Sequence, residues 1–296
     1  MRVVTPRVHL TEVLPVEVEA QLRRDFELVG APEGADGIVA VLTVRVDDAY
    51  LEAAGRQLKV VANYAVGVNN VDLDAARRRG IVISNTPDVL TGATAELALT
   101  LMLSLLRRVA EGDRFVRRRE PWQFSLEFML GERLEGKSVL IVGAGRIGRE
   151  TARLAEALGA VPVFAGRADD LDALLGQADI VSLHVPLSDE THHLIDARRL
   201  GLMKPSAVLI NVARGPVVDE VALAEALRTG VIAGAGLDVY EREPEVSEAL
   251  LPLENVVLAP HLGSATRDTR IAMGMLCVDA LRAVLLEGRT PPNAVT

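Results

Sequence analysis

The sequence holds a single cysteine, Cys277, so no disulfide can close within the chain. That usage fits a reducing cytoplasm and not a secreted, stapled scaffold. Cys277 lies in the apolar helical stretch AMGMLCVDAL, where a thiol serves packing better than nucleophilic chemistry. Aromatic residues make up only 3% of the chain, and lysine is nearly missing, three residues against 29 arginines. A high-GC genome explains that bias as well as heat adaptation does. No long hydrophobic run is present: AELALTLMLSLL at 95–106 is too short to span a bilayer and carries Glu96. The amino-terminal MRVVTPRVHL lacks the charged-then-apolar pattern of a secretion signal. Low-complexity segments, flexible linkers and short repeats are missing too. Positive charge is in deficit, with a formal net charge of −9, which disfavours nucleic acid and anionic membrane surfaces as partners. The densest basic runs, Arg77-Arg78-Arg79 and Arg117-Arg118-Arg119, sit beside helical patterns and read as solvated helix faces. A cytoplasmic protein that binds neither nucleic acid nor membrane is the expectation.

What is present is apolar bulk and alternation. At 296 residues and 49% hydrophobic, the chain suits two domains with sizeable cores. Short β-branched runs alternate with helical patterns, which predicts an α/β fold built on parallel sheets. RVVTP, GIVAVLT, KVVAN and IVISN are the early strand candidates, with helices near 12–24, 47–55 and 72–79. SVLIVG, VPVFA, DIVSLHV, AVLINVA, AGLDVY and NVVLAP follow, with helices at 146–158 and 219–229 the clearest between them. The pattern at 91–111 predicts one long connecting helix with Thr91 as N-cap. A last helix at 265–287 has to return to the first domain. The expected division is therefore 1–93 with 268–296, and 94–267 between them.

GAGRIG, Gly143 to Gly148, follows the strand SVLIV and opens a helix. In that setting Gly143 permits a tight turn, Gly145 lets the backbone approach a pyrophosphate, and Gly148 lets the helix pack on the strand. The helix start then offers free N–H groups and partial positive charge to phosphates. The next strand, VPVFA, should end in the carboxylate that bonds an NAD ribose, but Gly166-Arg167 stands there. Glycine leaves room and a guanidinium can bind a 2′-phosphate, so the expected cofactor is NADP(H), with NAD(H) possible if Asp169 or Asp170 swings back.

Three later segments place polar residues at the ends of apolar strands: INVARGPVVDE with Arg214, GLDVYEREP with Asp238 and Glu243, and VVLAPHLGSAT with His261. Strand carboxyl ends are where open α/β sheets bind ligands. An Arg, a Glu and a His meeting there suit reduction of a 2-oxo acid. Arg214 could grip the carboxylate, His261 could protonate the carbonyl oxygen, and Glu243 could hold the imidazole ring and favour its charged form. Each alone has a bland reading as surface or loop; their joint placement makes the case.

Taken together these motifs resemble the D-isomer-specific 2-hydroxyacid dehydrogenase family, most closely its glyoxylate/hydroxypyruvate reductase branch. The resemblance runs from about Leu42 to the end of the chain. It is carried by VANYAVGVNNVDLDAARRRGIVISNTPDVLTGATAELAL, GAGRIG, HVPLSDETHHLI, LINVARGPVVDE, GLDVYEREP and PHLGSAT, in that order. It implies a Rossmann cofactor domain with a smaller flavodoxin-like substrate domain, both doubly wound, and a homodimer formed through the 95–106 helix and the loop around Trp122. It implies that Arg214 binds substrate, that His261 is the acid/base, and that Glu243 is its partner. Leu42 and the backbone N–H groups of Val66 and Gly67 would contact the substrate, a small 2-oxo or 2-hydroxy acid. Besides Gly143, Gly145, Gly148, Gly166 and Arg167, cofactor contacts would fall on Thr94, Arg146, Ile147, Val185, Pro186, Thr191, Val212, Ala213, Asp238, His261 and Gly263. His184, His192 and His193 match non-catalytic family positions, and no carboxylate or cysteine accompanies them at metal-ligand spacing, so no metal is expected.

The chain departs from the family pattern in places. Asn69 replaces the usual Asp of VGxDN, with little consequence for a segment that works through its backbone. The loop Val41-Leu42-Thr43-Val44 is apolar where phosphoglycerate-using members carry arginine, which favours a small substrate such as glyoxylate or hydroxypyruvate. Glu243 in place of glutamine weighs against the formate-oxidising relatives. The alternatives are an NAD-dependent D-3-phosphoglycerate dehydrogenase and an NAD(H)-sensing corepressor-like protein.

Overall fold

The computed structural model describes residues 5–296. They form two compact units, one of the described residues up to Leu90 together with Ala265–Thr296, the other Thr91–Ser264.

The first unit holds strands β1 (Arg7–Leu10), β2 (Glu27–Val29), β3 (Gly37–Ala40), β4 (Val60–Asn63) and β5 (Val82–Ser84). Helices α1 (Val16–Asp25), α2 (Asp48–Ala54) and α3 (Leu73–Arg79) connect them. All pairings are parallel, in the order β2-β1-β3-β4-β5. This is the flavodoxin-like order, with its reversal between β1 and β3. Strands β3 and β4 are buried at every residue, as a sheet covered on both faces requires. Leu51, Ala54, Ala75 and Ala76 of α2 and α3 cover one face. On the other, α1 packs with the C-terminal helix Arg267–Leu285, whose Gly274 admits the Val18 side chain so closely that a Cβ would overlap it.

The second unit begins with α4 (Thr91–Leu106) and α5 (Val109–Arg117). Then come β6 (Ser138–Val142), α6 (Arg146–Ala157), β7 (Val161–Ala165), α7 (Leu171–Leu175), β8 (Ile180–Leu183), α8 (Ala197–Leu200), β9 (Val208–Asn211), α9 (Glu220–Thr229), β10 (Gly234–Leu237) and β11 (Val256–Leu258). This sheet is also wholly parallel, ordered β11-β10-β9-β8-β6-β7. Alternation along β6 divides its cover. Val139 and Ile141 face α4 and α6, while Leu140 and Val142 face the side formed by α7, α8 and α9.

The structure corrects several local expectations. The single helix expected at 91–111 is two, because Arg108 takes a left-handed φ of 53° and breaks the run. Thr91 is the first helical residue and not its cap. RVVTP begins outside the described residues, and the strand lies just beyond it, at Arg7–Leu10. GIVAVLT stops being a strand at Ala40, and β2 was not expected at all.

Candidate active site

In the second unit the GAGRIG turn joins β6 to α6, beside the point where the strand order reverses between β6 and β8. Gly143 has φ 104°, and a Cβ there would stand 2.8 Å from the backbone of His184, just past β8. At Gly148 a Cβ would overlap the Gly143 carbonyl oxygen, so helix and turn meet with no room to spare. Gly145 faces open space, and α6 begins there without any side-chain cap. Its first N–H groups are thus presented to that space, as a pyrophosphate requires. The residues fit a dinucleotide.

At the tip of β7, Gly166 and Arg167 are exposed. Asp169 folds back, its Oδ2 accepting the Gly166 N–H at 2.7 Å. Asp170 is committed elsewhere, capping α7 through the Ala173 N–H at 3.1 Å. Beyond β8, Thr191 pins the Val185–Pro186 turn by donating to the Pro186 carbonyl at 2.7 Å and accepting the Ser188 N–H at 2.8 Å.

Three strand ends converge on the chemistry. Arg214 follows β9 in extended conformation, and Asn211 fixes its turn, donating to the Arg214 carbonyl at 3.0 Å and accepting the Ala213 N–H at 3.0 Å. The guanidinium donates to the Ala213 carbonyl at 2.6 Å, while its Nε is buried with no partner among the described residues. Burial pushes the Arg214 pKa down, opposed by the charge of Glu243. Arginine nevertheless stays charged. A guanidinium held at a strand end with an N–H left unpaired is chemically suited to an anion.

His261 follows β11, its Nδ1 2.6 Å from Glu243 Oε2. The other Glu243 oxygen accepts the Tyr240 N–H at 3.1 Å. Burial pushes Glu243 up, but the His261 hydrogen bond and charge, the Tyr240 amide and the charge of Arg214 outweigh it, and its pKa lies below the usual carboxylate range. His261 itself has φ 55°, an unfavourable conformation for a residue with a side chain. Asp238, past β10 and buried, supports it: the Asp238 carboxylate accepts the N–H groups of Leu262 at 2.6 Å and Gly263 at 2.8 Å. Burial raises the Asp238 pKa. Thr94 adds a bond to the Gly263 carbonyl at 3.0 Å. Expected as cofactor contacts, Asp238 and Thr94 both brace the histidine turn. Val212 and Ala213 are buried at the end of β9.

In the first unit, Leu42 lies in the loop after β3, and Val66 and Gly67 in the loop after β4. The two loops border a hollow of about 460 Å³ lined in part by Leu42, Arg45, Asn69 and Asn70. Asn63 donates to the Gly67 carbonyl at 2.9 Å, and Asn70 bonds Asn63 at 3.0 Å and the Val44 carbonyl at 3.1 Å. These carboxamides set the loop backbone, and sequence reasoning missed them. The signal available was an asparagine-rich run after a buried strand.

His184 bonds Ser182 Oγ through its Nε2 at 2.9 Å. His193 pairs with Glu241, and its ring stacks on His192 at 4.1 Å. No group of three metal-ligating side chains occurs among the described residues. None of the described helices is long and apolar enough to cross a membrane.

Residues 99–263 match the model of the D-isomer specific 2-hydroxyacid dehydrogenase NAD binding domain. The chain belongs to that family. It is 42% identical to a glyoxylate reductase of Thermococcus litoralis, over 98% of this chain and 96% of that one. A solved protein from Thermus thermophilus superposes with TM-score 0.92 at 43% identity, covering 98% of this chain and 100% of that one. An NADPH-dependent glyoxylate/hydroxypyruvate reductase of Sinorhizobium meliloti, solved with NADP and malonate, gives TM-score 0.87 at 35% identity, covering 99% and 97%. The protein is therefore a D-2-hydroxyacid dehydrogenase that works with a nicotinamide cofactor.

Proposed function

We propose that the protein is a cytoplasmic NAD(P)H-dependent reductase of small 2-oxo acids, converting glyoxylate to glycolate and hydroxypyruvate to D-glycerate. The observation that carries the chemistry is the 2.6 Å bond between His261 and Glu243 beside a buried arginine with an unspent Nε–H. Arg214 binds the substrate carboxylate, and Glu243 orients the imidazole through Nδ1 so that Nε2 faces the carbonyl oxygen. When bound, the nicotinamide supplies the hydride to C2. His261 gives the proton to the oxygen, completing the alcohol, and takes another from solvent. In the first unit, Leu42 and the backbone N–H groups of Val66 and Gly67 are substrate contacts. An apolar Leu42 loop favours a substrate without a phosphate, as does the similarity to glyoxylate reductases.

For the cofactor we favour NADP(H). Support comes from the lack of an acidic residue at position 166, the exposed guanidinium of Arg167, and the commitment of Asp170 to capping α7, while Asp169, folded back onto the Gly166 amide, is the carboxylate through which NAD(H) would be accepted instead. Cradle contacts fall on Gly143, Gly145, Arg146, Ile147 and Gly148, with Val185, Pro186, Thr191, Val212, Ala213 and Gly263 further along. The 95–106 helix, expected at the dimer contact, packs Ala98, Leu101, Met102 and Leu106 into the core of the second unit, so support for a homodimer comes from the apolar surface that α5 and the loop around Trp122 leave exposed. There Trp122 and Phe128 stack at 5.8 Å and Phe124 is 83% exposed. A patch of that kind marks an interface.

Initial rates with NADH and NADPH against glyoxylate, hydroxypyruvate, pyruvate and phosphohydroxypyruvate test the reading. The fastest turnover is expected for NADPH with glyoxylate or hydroxypyruvate. Gly166→Asp with Arg167→Ile should reverse the cofactor ratio. A charge-assisted bond to phosphate is worth roughly 1.5–3 kcal/mol, or about tenfold to a hundredfold in kcat/KM. Absence of activity on every small 2-oxo acid would overturn the proposal.

A further inference from the structure

We propose that Glu220 is a positioning residue for catalysis, setting the place of Glu243 through the backbone of its loop. Glu220 closes the INVARGPVVDE motif and is the first residue of α9. Its side chain is buried, the residue being 8% exposed, yet among the described residues it pairs with no cation. Its Oε2 accepts the Glu241 N–H at 3.0 Å, and its Oε1 accepts the Ser247 N–H at 2.9 Å. These amides stand two residues before and four residues after Glu243. One carboxylate thus ties both ends of the loop that carries the partner of His261.

The geometry asks for an accepting oxygen on each arm of this side chain. A carboxylate accepts on both oxygens, whereas a glutamine would turn an NH₂ toward one of the two backbone donors. The cost of burying the charge is offset by two charge-assisted bonds and by the partial positive charge at the start of α9. The tie at Glu241 is reinforced, because the Glu241 side chain pairs with His193, whose own N–H donates to the Pro216 carbonyl at 2.8 Å. The Glu243 carboxylate bonds the Tyr240 amide and the His261 ring, so its approach to the imidazole depends on where the loop puts it. The inference rests on the reading that Glu243 orients His261.

The test is steady-state kinetics on the full chain with NADPH and glyoxylate, beside urea unfolding. The variants are Glu220→Gln, Glu220→Asp, Glu243→Gln and the Glu220→Gln/Glu243→Gln double variant. Glu220→Gln should lower kcat by about tenfold or more, the scale of a misplaced catalytic group, with a much smaller change in KM for glyoxylate. Glu220→Asp restores two acceptors and should recover part of the rate. In the Glu243→Gln background, Glu220→Gln should cost nothing further, since the residue it positions is gone. Equal cost in both backgrounds, or lost stability with normal kcat, would overturn the proposal. Should Glu220→Gln not fold, Ser247→Pro deletes one of the two N–H donors while keeping the carboxylate, and the same comparison is made with it. A Glu243→Gln enzyme of unchanged rate would instead refute the role of Glu243, and this proposal with it. A slow Glu243→Gln enzyme beside a normal Glu220→Gln one would refute this proposal alone.

Discussion

Acid should weaken the second unit through His184. Its Nδ1 is sealed from solvent without a partner among the described residues, its Nε2 bonds Ser182, and its backbone lies against the Gly143 turn. Burial lowers its pKa from 6.5 to about 4. The folded protein therefore keeps the ring neutral while the unfolded chain takes a proton below about 6.5. Stability from this group is complete above pH 6.5 and falls as pH drops toward 4. At pH 4.5 the loss reaches up to about 2.5 kcal/mol, at 1.36 kcal/mol per pKa unit. One edge of the residue still reaches solvent, so that figure is a ceiling. His184→Gln removes the titration. At pH 7 it should cost about 1 kcal/mol for the lost Ser182 bond. At pH 4.5 it should match or exceed the wild type. Urea unfolding followed by far-ultraviolet circular dichroism at both pH values measures the difference. If the wild type and His184→Gln lose stability in parallel, to within about 0.5 kcal/mol, burial of this ring is not what the acid limb reports.

His261→Asn should lower kcat by about a hundredfold to ten-thousandfold, the usual contribution of a general acid, with a far smaller change in NADPH binding measured by fluorescence. Arg214→Leu should raise KM for glyoxylate steeply by removing the charge, and Arg214→Lys should recover little, because a single ammonium cannot reproduce the planar fork. Gly148→Ala should abolish NADPH binding before it abolishes folding. The added methyl must displace the Gly143 carbonyl, and calorimetric titration reads the loss directly.

The most legible features were those that impose a pattern on the chain. Fully buried strands such as Gly37–Ala40 are continuous apolar runs, and a glycine turn between strand and helix has a fixed spacing. Arg214, Asp238 and His261 stood out because each breaks such a run at its carboxyl end. Less legible were residues that act on backbone. Asn211, Asn63 and Glu220 aim their side chains at amides and carbonyls that folding brings near, and no periodicity announces that. The break at Arg108 was hidden because the apolar period runs on through it. Strand β2 was invisible because ELV is too short to show any period at all. Asp169 was singled out by sequence alone, but only its bond to Gly166 shows how it is held.

The helix Arg267–Leu285 belongs to the unit whose strands are made first. A ribosome that has reached residue 264 has already joined every residue of the second unit, while the sheet of β1 to β5 still lacks the helix that shares one of its faces with α1. Gly37 has nothing yet to meet where Leu281 will lie, and the hydroxyl of Tyr64 has not met the Arg270 carbonyl. Synthesis therefore finishes the later-encoded unit before the earlier one. The sheet that leaves the ribosome first waits on a helix encoded far downstream to become a folded object.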